Sequence, residues 1–330
     1  MKVILLHIFV LNVFLLKGYI NIQYDCDFIR FELRTQNLHH GTCSEGVAHH
    51  CNKYLHYTFK ALFLLVIMEE HVIEALGKSR IVIQNGEVIS VEDPVIDYCP
   101  LFDKYRGIKK LTKESIKDNI EFRIKDFGMC NENRRFPSED FLSIGASEII
   151  STLIKKEILE AAVIVSDGCG TVIVKDPDVV EGLAGRISGI IKTVPIKGVI
   201  SFVGDSNVLN PENAEINQIE GLKKAISKGY QNIAITISNA KDIPEIRKIE
   251  KDNLCNVFVF GVHTTGISKE DAYIFMELGD VITACMSKEL IEIGDNKGIY
   301  KTKTKIPIYA PSEKGKKAIE LRLKEIEKKK

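Results

Sequence analysis

A cysteine between two glycines and a histidine among small polar residues are the side chains best suited to catalysis in this sequence. Cys169 lies within Asp167-Gly168-Cys169-Gly170, and His263 lies within the loop 261–266. Flanking glycines let the backbone turn sharply and present a thiol to a ligand, which predicts Cys169 as a nucleophile or metal ligand. Because imidazole titrates near neutrality, His263 is predicted to act as acid, base or ligand. The alternatives are a buried cysteine in a tight turn and a polar cap for a helix that begins near residue 268.

Small polar residues in neighbouring loops supply further candidates. Asp205 is predicted to orient the imidazole of His263, as a carboxylate does in a catalytic triad. The predicted substrate-binding residues are Asp167, Gly168, Gly170, Ser206, Asn207, Asn239, Thr264 and Thr265. Turn formation at 205–207 and helix capping by Asn239 are alternative explanations that the sequence leaves open.

The cysteines after Met68 are too widely spaced to form a recognisable metal-binding motif. Four of them are still predicted as thiolate ligands of an iron–sulfur cluster or zinc: Cys99, Cys130, Cys169 and Cys285. No C-x-x-C pair is present, which argues against such a site. The fifth, Cys255, begins a predicted strand and is expected in the core, whereas Cys285 is expected to line the pocket with Thr264. An odd number of scattered cysteines indicates a reducing, cytoplasmic setting without disulfides.

Five apolar runs position most of these loops. They lie at 161–166, 199–203, 233–237, 256–260 and 280–284. Helix-patterned segments separate them, so the runs are predicted to form parallel strands whose carboxyl ends share one edge of a sheet. Ligands of open α/β sheets bind at that edge. The predicted fold class is therefore α/β, a mainly parallel open sheet with flanking helices.

A smaller α+β portion is predicted at 68–140, ahead of this domain. It includes a helix at 69–77, a strand at 121–125 and a β-hairpin that turns at Asn85-Gly86, where both residues accept the positive φ of a type I′ turn. The α/β domain with the site is assigned to 141–310. An exposed C-terminal helix is assigned to 311–330.

The first 67 residues differ from the rest of the chain. They contain six of the eight histidines and show no sustained periodicity past residue 20. One interpretation makes the apolar run 3–16 a signal peptide or anchor, but that run is shorter than a membrane-spanning helix. The favoured interpretation takes Met68 as the start and 1–67 as an upstream extension, disordered or poorly packed.

The charge balance excludes some partners. The chain has 45 basic and 45 acidic residues, so it lacks the net positive charge that would favour nucleic acid. Its apolar content of 45% and charged content of 27% are those of a soluble globular protein, and no membrane association is predicted.

Four segments carry a resemblance to a known family. They are 95–100 (Val-Ile-Asp-Tyr-Cys-Pro), 165–171 (Val-Ser-Asp-Gly-Cys-Gly-Thr), 261–266 (Gly-Val-His-Thr-Thr-Gly) and 280–285 (Asp-Val-Ile-Thr-Ala-Cys). From Met68 onward the chain resembles the methanogenesis marker protein 8 family of methane-producing archaea. The resemblance implies a cytosolic protein that matures methanogenesis enzymes or cofactors, but it supplies no catalytic motif.

Three hypotheses of function follow. The first is an enzyme, or a cofactor- or metal-handling protein, with a Cys/His site at the carboxyl edge of the sheet. The second is a non-catalytic binding or assembly factor that holds a methanogenesis enzyme complex or a small-molecule cofactor. The third, a structural domain without activity, predicts that the polar loops lie far apart.

Overall fold

The computed structural model describes residues 70–136 and 142–328, and the backbone of two strands near the start of the chain. The chain divides into two compact units, 1–66 and 67–330. In the first unit, β1 (Ile20–Asp25) pairs antiparallel with β2 (Phe28–Leu33). The rest of the predicted upstream extension 1–67, including its apolar run, lies outside the described residues.

The larger sheet of the second unit has seven strands. They are β6 (Ala161–Ser166), β7 (Gly170–Val174), β9 (Asn232–Ile237), β10 (Asn256–Gly261), β11 (Val281–Thr283), β12 (Tyr300–Lys301) and β13 (Ile308–Ala310). Their order is β12-β13-β11-β10-β9-β6-β7. The four strands β11, β10, β9 and β6 run parallel, and the outer strands pair antiparallel. This confirms the predicted α/β fold class.

The smaller sheet is antiparallel and has the order β5-β4-β3-β8. Its strands are β3 (Glu70–Ala75), β4 (Ser79–Gln84), β5 (Glu87–Val91) and β8 (Gly189–Lys192). The predicted hairpin at Asn85-Gly86 is confirmed, with both residues at positive φ. Because β8 comes from the middle of the chain, the sheet uses residues from both sides of the predicted boundary at 140.

Ten helices pack around the sheets in the described residues. They are α1 (Pro100–Arg106), α2 (Lys113–Phe127), α3 (Ala146–Lys155), α4 (Pro177–Ala184), α5 (Lys197–Val203), α6 (Gln218–Ser227), α7 (Ile243–Asp252), α8 (Lys269–Leu278), α9 (Lys288–Asn296) and α10 (Glu313–Lys328). Local chemistry fixes several starts: proline is the first residue of α1 and α4, and Thr112 and Ser115 form a capping box on α2. No helix within the described ranges has the length and apolar character to cross a bilayer.

The central strands are buried on both faces, as parallel sheets require. Val163, Ile235 and Val259 share one core cluster with α6–α9. Ile164 and Phe258, which are sequence neighbours of Val163 and Val259, belong to the other cluster, with α3–α5 and α10. The period of two residues therefore divides each apolar run between two hydrophobic cores.

Three local predictions were wrong. The predicted strand at 199–203 is α5, because buried residues at Ile196, Val199 and Ile200 follow a helical spacing that a five-residue window conceals. The predicted helix at 69–77 is β3, whose pairing with β4 and β8 decides its structure. The predicted strand at 121–125 is the second half of α2.

One predicted helix also differs from the structure in its exposure. The C-terminal helix, predicted to be exposed, buries Ala318 and Ile319 in the core. Arg322 anchors it through a hydrogen bond of 2.9 Å from Nε to the carbonyl of Ser143.

Candidate functional site

A cavity of about 750 Å³ opens at the carboxyl edge of the parallel strands. Its lining includes the final residues of the strands and the loops that follow them: Val165, Thr236, Ser238, Val262, His263, Thr283 and Cys285. Its volume is in the range of small-molecule sites, and its position at the sheet edge is the usual one in α/β folds. The cavity therefore is the candidate functional site.

Other elements close the remaining walls. The smaller sheet contributes Glu74 from β3 and 189–191 from β8. The first turn of α3 contributes Ala146 and Ser147, and Lys104 and Lys305 lie exposed at the mouth. The cavity thus depends on contact between the smaller sheet and the edge of the larger one.

His263 is the predicted site residue with the most suitable position. It lies two residues beyond the end of β10 and adopts a positive φ of 54°. A Cβ built at Gly189 would lie 3.3 Å from its Cγ, so β8 packs closely against the imidazole. Burial lowers the pKa of His263 to about 4. The imidazole is therefore neutral at physiological pH and can accept a proton or a hydrogen bond.

Cys285 lines the same cavity, and two threonines hold its loop. The hydroxyl of Thr264 donates to the carbonyl of Thr283 (2.6 Å) and accepts from the N–H of Cys285 (3.1 Å). The hydroxyl of Thr265 donates to the carbonyl of Cys285 (2.6 Å). Burial raises the pKa of the Cys285 thiol, and hydrogen bonds with the backbone of Thr264 and His263 act in the opposite direction. The thiol is a neutral lining group, and the threonines, predicted to bind substrate, position the loop.

Two carboxyl groups in the lining were missed by sequence reasoning. Glu148 is buried in the first turn of α3, where its Oε1 accepts the N–H of Leu142 at 3.0 Å. Burial raises its pKa, partly offset by hydrogen bonds and by the charge of Arg322. Burial also raises the pKa of Glu74. The available signal for Glu148 was a charged residue in the first turn of a helix whose following residues are apolar.

Asp167, a predicted substrate ligand, is occupied by a structural ion pair. Both of its oxygens accept from Nε of Arg134, at 3.1 and 3.2 Å. Its Oδ2 also accepts the N–H of Cys130 (2.7 Å), and its Oδ1 accepts the hydroxyl of Ser166 (3.2 Å). Since Asp167 is fully buried and does not line the cavity, its role is to fix the loop 128–136 on the end of β6.

Cys169 was predicted to be an accessible nucleophile, and the structure contradicts that accessibility. Its exposed fraction is 0%, it packs in the hydrophobic core, and burial raises the pKa of its thiol. A side chain at Gly170, whose φ is 64°, would overlap the carbonyl oxygen of Ala214. The N–H of Gly168 donates to Oγ1 of Thr193 (2.8 Å). The motif is a tight turn, and Cys169 does not join His263 in the cavity lining.

The second predicted loop, 205–207, also lies away from the cavity. Asp205 and Ser206 are exposed in a short 3-10 helix that follows α5 instead of a strand. The amide of Asn207 donates to the carbonyl of Val203 (2.7 Å), which makes it a turn residue. Asn239 caps another 3-10 helix by accepting the N–H of Lys241 (3.3 Å). Asp205 therefore does not orient His263 in this structure.

The four-cysteine metal site is not assembled. The described residues contain no group of three or more His, Cys, Asp or Glu side chains that could hold a metal ion. Cys99 is buried at the start of α1, and Cys130 is buried beside Asp167. Only Cys285 among the four lines the cavity in the described part of the chain. These thiols do not fit an iron–sulfur cluster or zinc.

Comparison with known proteins places the chain in a family. A model of DUF2099, described as an uncharacterized protein conserved in archaea, matches residues 71–324. The chain belongs to this family. One relative, the uncharacterized protein MJ0054 of Methanocaldococcus jannaschii, is 47% identical over 266 residues, which cover 79% of this chain and 93% of the relative. No solved structure matches the chain.

Proposed function

We propose that this protein binds a small organic molecule in the carboxyl-edge cavity and acts on it with His263 as a proton acceptor. The observation that carries the proposal is a cavity of about 750 Å³ whose lining includes a neutral imidazole. Ionisable side chains whose pKa is shifted by burial are found preferentially at functional sites. The carboxyl groups of Glu148 and Glu74 and the thiol of Cys285 supply further groups that can exchange protons with a ligand.

The proposal of a biological role rests on one relative and on four sequence segments. The relative in Methanocaldococcus jannaschii belongs to a methane-producing organism, and four segments resemble methanogenesis marker protein 8. Both favour a cytoplasmic role in maturing an enzyme or cofactor of methanogenesis. A cofactor or its precursor is the class of small molecule that such a role requires.

Ligand retention by a cavity-filling variant tests the proposal. Wild-type protein, Ala146→Phe and Ser206→Phe are incubated with a small-molecule extract of methanogen cells, desalted and denatured, and the released compounds are identified by mass spectrometry. Ala146 lines the cavity, whereas Ser206 is exposed and does not. We expect one compound to be retained by the wild type and Ser206→Phe and to be lost from Ala146→Phe.

Two other outcomes contradict the proposal. Equal retention by all three proteins would place the ligand outside the cavity. Retention of no compound, together with co-purification of a methanogenesis enzyme, would favour the non-catalytic assembly factor.

A further inference from the structure

Arg123, on α2, is a buried cation that has no acidic partner among the described residues. Its exposed fraction is 7%, and its Nη1 donates to the hydroxyl of Ser188 at 2.7 Å. Its guanidinium also lies 5.5 Å from the ring centre of Phe102. Within residues 70–136 and 142–328, no Asp or Glu forms an ion pair with it. Burial and the nearby charge of Arg106 lower the pKa of Arg123 to about 10, so it still carries its charge at neutral pH.

Two other partly or fully buried arginines form ion pairs with aspartates. The guanidinium of Arg134 lies 3.1 Å from a carboxylate oxygen of Asp167, and that of Arg247 lies 2.6 Å from one of Asp280. Proteins usually neutralise a buried charge in this way because desolvation of an unpaired charge is costly. Arg123 therefore has an unused capacity to balance a negative charge.

Ser188 connects this charge to the cavity. It directly precedes β8 and lines the cavity, where it is 8% exposed. Because its oxygen accepts from Arg123, its own hydrogen can point towards a ligand. Glu74 is paired with the neighbouring Gly189 across the two strands, yet it forms no ion pair with Arg123 in the described structure. The positive charge behind Ser188 thus remains available.

Two further features favour negative charge in this cavity. The first turn of α3 lines it at Ala146 and Ser147, and a helix amino terminus carries a partial positive charge. Lys104 lies at the mouth, on α1.

We infer that the ligand of this cavity carries an anionic group, a carboxylate or a phosphate, that accepts a hydrogen bond from Ser188 and is balanced by Arg123. The inference rests on the proposed function, since it names the chemical class of the molecule bound there. Ser188 contacts the ligand directly. Arg123 acts through Ser188 and is a positioning residue.

A pair of fluorescent probes tests the inference. 8-Anilinonaphthalene-1-sulfonate and N-phenyl-1-naphthylamine share one ring system, and only the first carries an anionic group. We expect the wild-type protein to bind the sulfonate probe at least roughly tenfold more tightly than the neutral one, as a charge-assisted hydrogen bond implies. Inorganic phosphate and acetate are added as competitors, and the stronger competitor identifies which anion the site prefers.

Variants separate the possible outcomes. Ser188→Ala and Arg123→Met should bring the affinity ratio close to one while retaining the neutral probe, which also shows that they are folded. Arg123→Lys should preserve part of the preference, and Arg80→Met, which removes an exposed arginine, should leave it unchanged. Ala146→Phe should exclude both probes and so locate them in the cavity.

The inference and the proposed function fail in different ways. Equal affinity of the wild type for the two probes, or an unchanged ratio in Ser188→Ala, would overturn the anionic ligand and leave the proposed function intact. Binding of neither probe, or binding that Ala146→Phe does not reduce, would overturn both.

Discussion

Replacing Asp167 by asparagine should destabilise the protein strongly without abolishing ligand binding. At the separation of 3.1 Å between Arg134 Nε and Asp167 Oδ2, the attraction of two unit charges is roughly 5 kcal/mol at an effective dielectric constant of about 20. Asparagine keeps the shape and one acceptor, but it leaves the guanidinium of Arg134 buried without its counterion. Loss of one partner of a buried pair typically costs about 3–5 kcal/mol.

Urea denaturation followed by circular dichroism measures this loss. Asp93→Asn is the matched control, because Asp93 pairs with Lys113 on the surface, and exposed pairs contribute at most about 1 kcal/mol. The double variant Asp167→Leu/Arg134→Met should recover stability relative to Asp167→Leu, since no unpaired charge remains. A loss below about 1 kcal/mol in Asp167→Asn, combined with loss of probe binding, would contradict a structural role for Asp167 and indicate that it binds the ligand.

Three further predictions concern the histidine, the thiols and the turn. Burial lowers the pKa of His263 in the folded state to about 4, so the unfolded chain binds more protons than the folded chain between pH 6.5 and 4. The free energy of unfolding should therefore fall by up to roughly 3 kcal/mol as the pH decreases through that window. In urea titrations at several pH values, His263→Gln should lose this part of the pH dependence. Iodoacetamide should label Cys255, which is partly exposed, well before Cys169, as peptide mass spectrometry of the native protein would show, and equal rates would contradict the buried turn. Gly170→Ala should lower the free energy of unfolding several times more than Gly298→Ala. Both glycines have a φ near 64°, but only a side chain at Gly170 would clash with backbone atoms. Equal losses of about 1 kcal/mol would contradict this packing.

The strands of the central sheet could be predicted from the sequence because their residue types and their boundaries both favour strands. The runs 161–166, 233–237 and 256–260 are rich in β-branched residues and are bounded by polar loops, so propensity and pattern agree with the observed parallel strands. The run 199–203 has the same composition but forms α5. An apolar run of five residues does not distinguish a buried strand from two turns of a helix that buries one side.

The location of the candidate site could be predicted from the sequence, but several of the residues that line it could not. His263 and Cys285 follow parallel strands, and strand order alone sends both to the carboxyl edge. Glu148 and Ser188 come from the start of a helix and from a segment before β8, whose positions depend on how the smaller sheet packs. No periodicity in the sequence contains that information.

Cys169 shows why reactive residue types mislead at a strand end. A turn between two antiparallel strands can direct its side chains into solvent, into a pocket or back into the core, and the glycines that allow the turn allow all three directions. Here the side chain of Asp167 is bound by Arg134, so the turn is held against the loop 128–136, and Cys169 points into the core. Direction depends on the partner of Asp167, which is separated from it by 33 positions in the sequence.

One strand links the two halves of the candidate site. In β8 and the residue before it, Gly189 packs against His263, and Ser188 joins Arg123 to the cavity. Proton transfer at the imidazole and recognition of an anionic group would then both depend on the pairing of β8 with β3. Arg123 itself lies on α2, and its hydrogen bond to Ser188 connects that helix to the residue directly before β8. In the proposed site, the segment that begins at Ser188 would supply recognition of the anionic group, while the carboxyl edge of the larger sheet would supply the reactive groups.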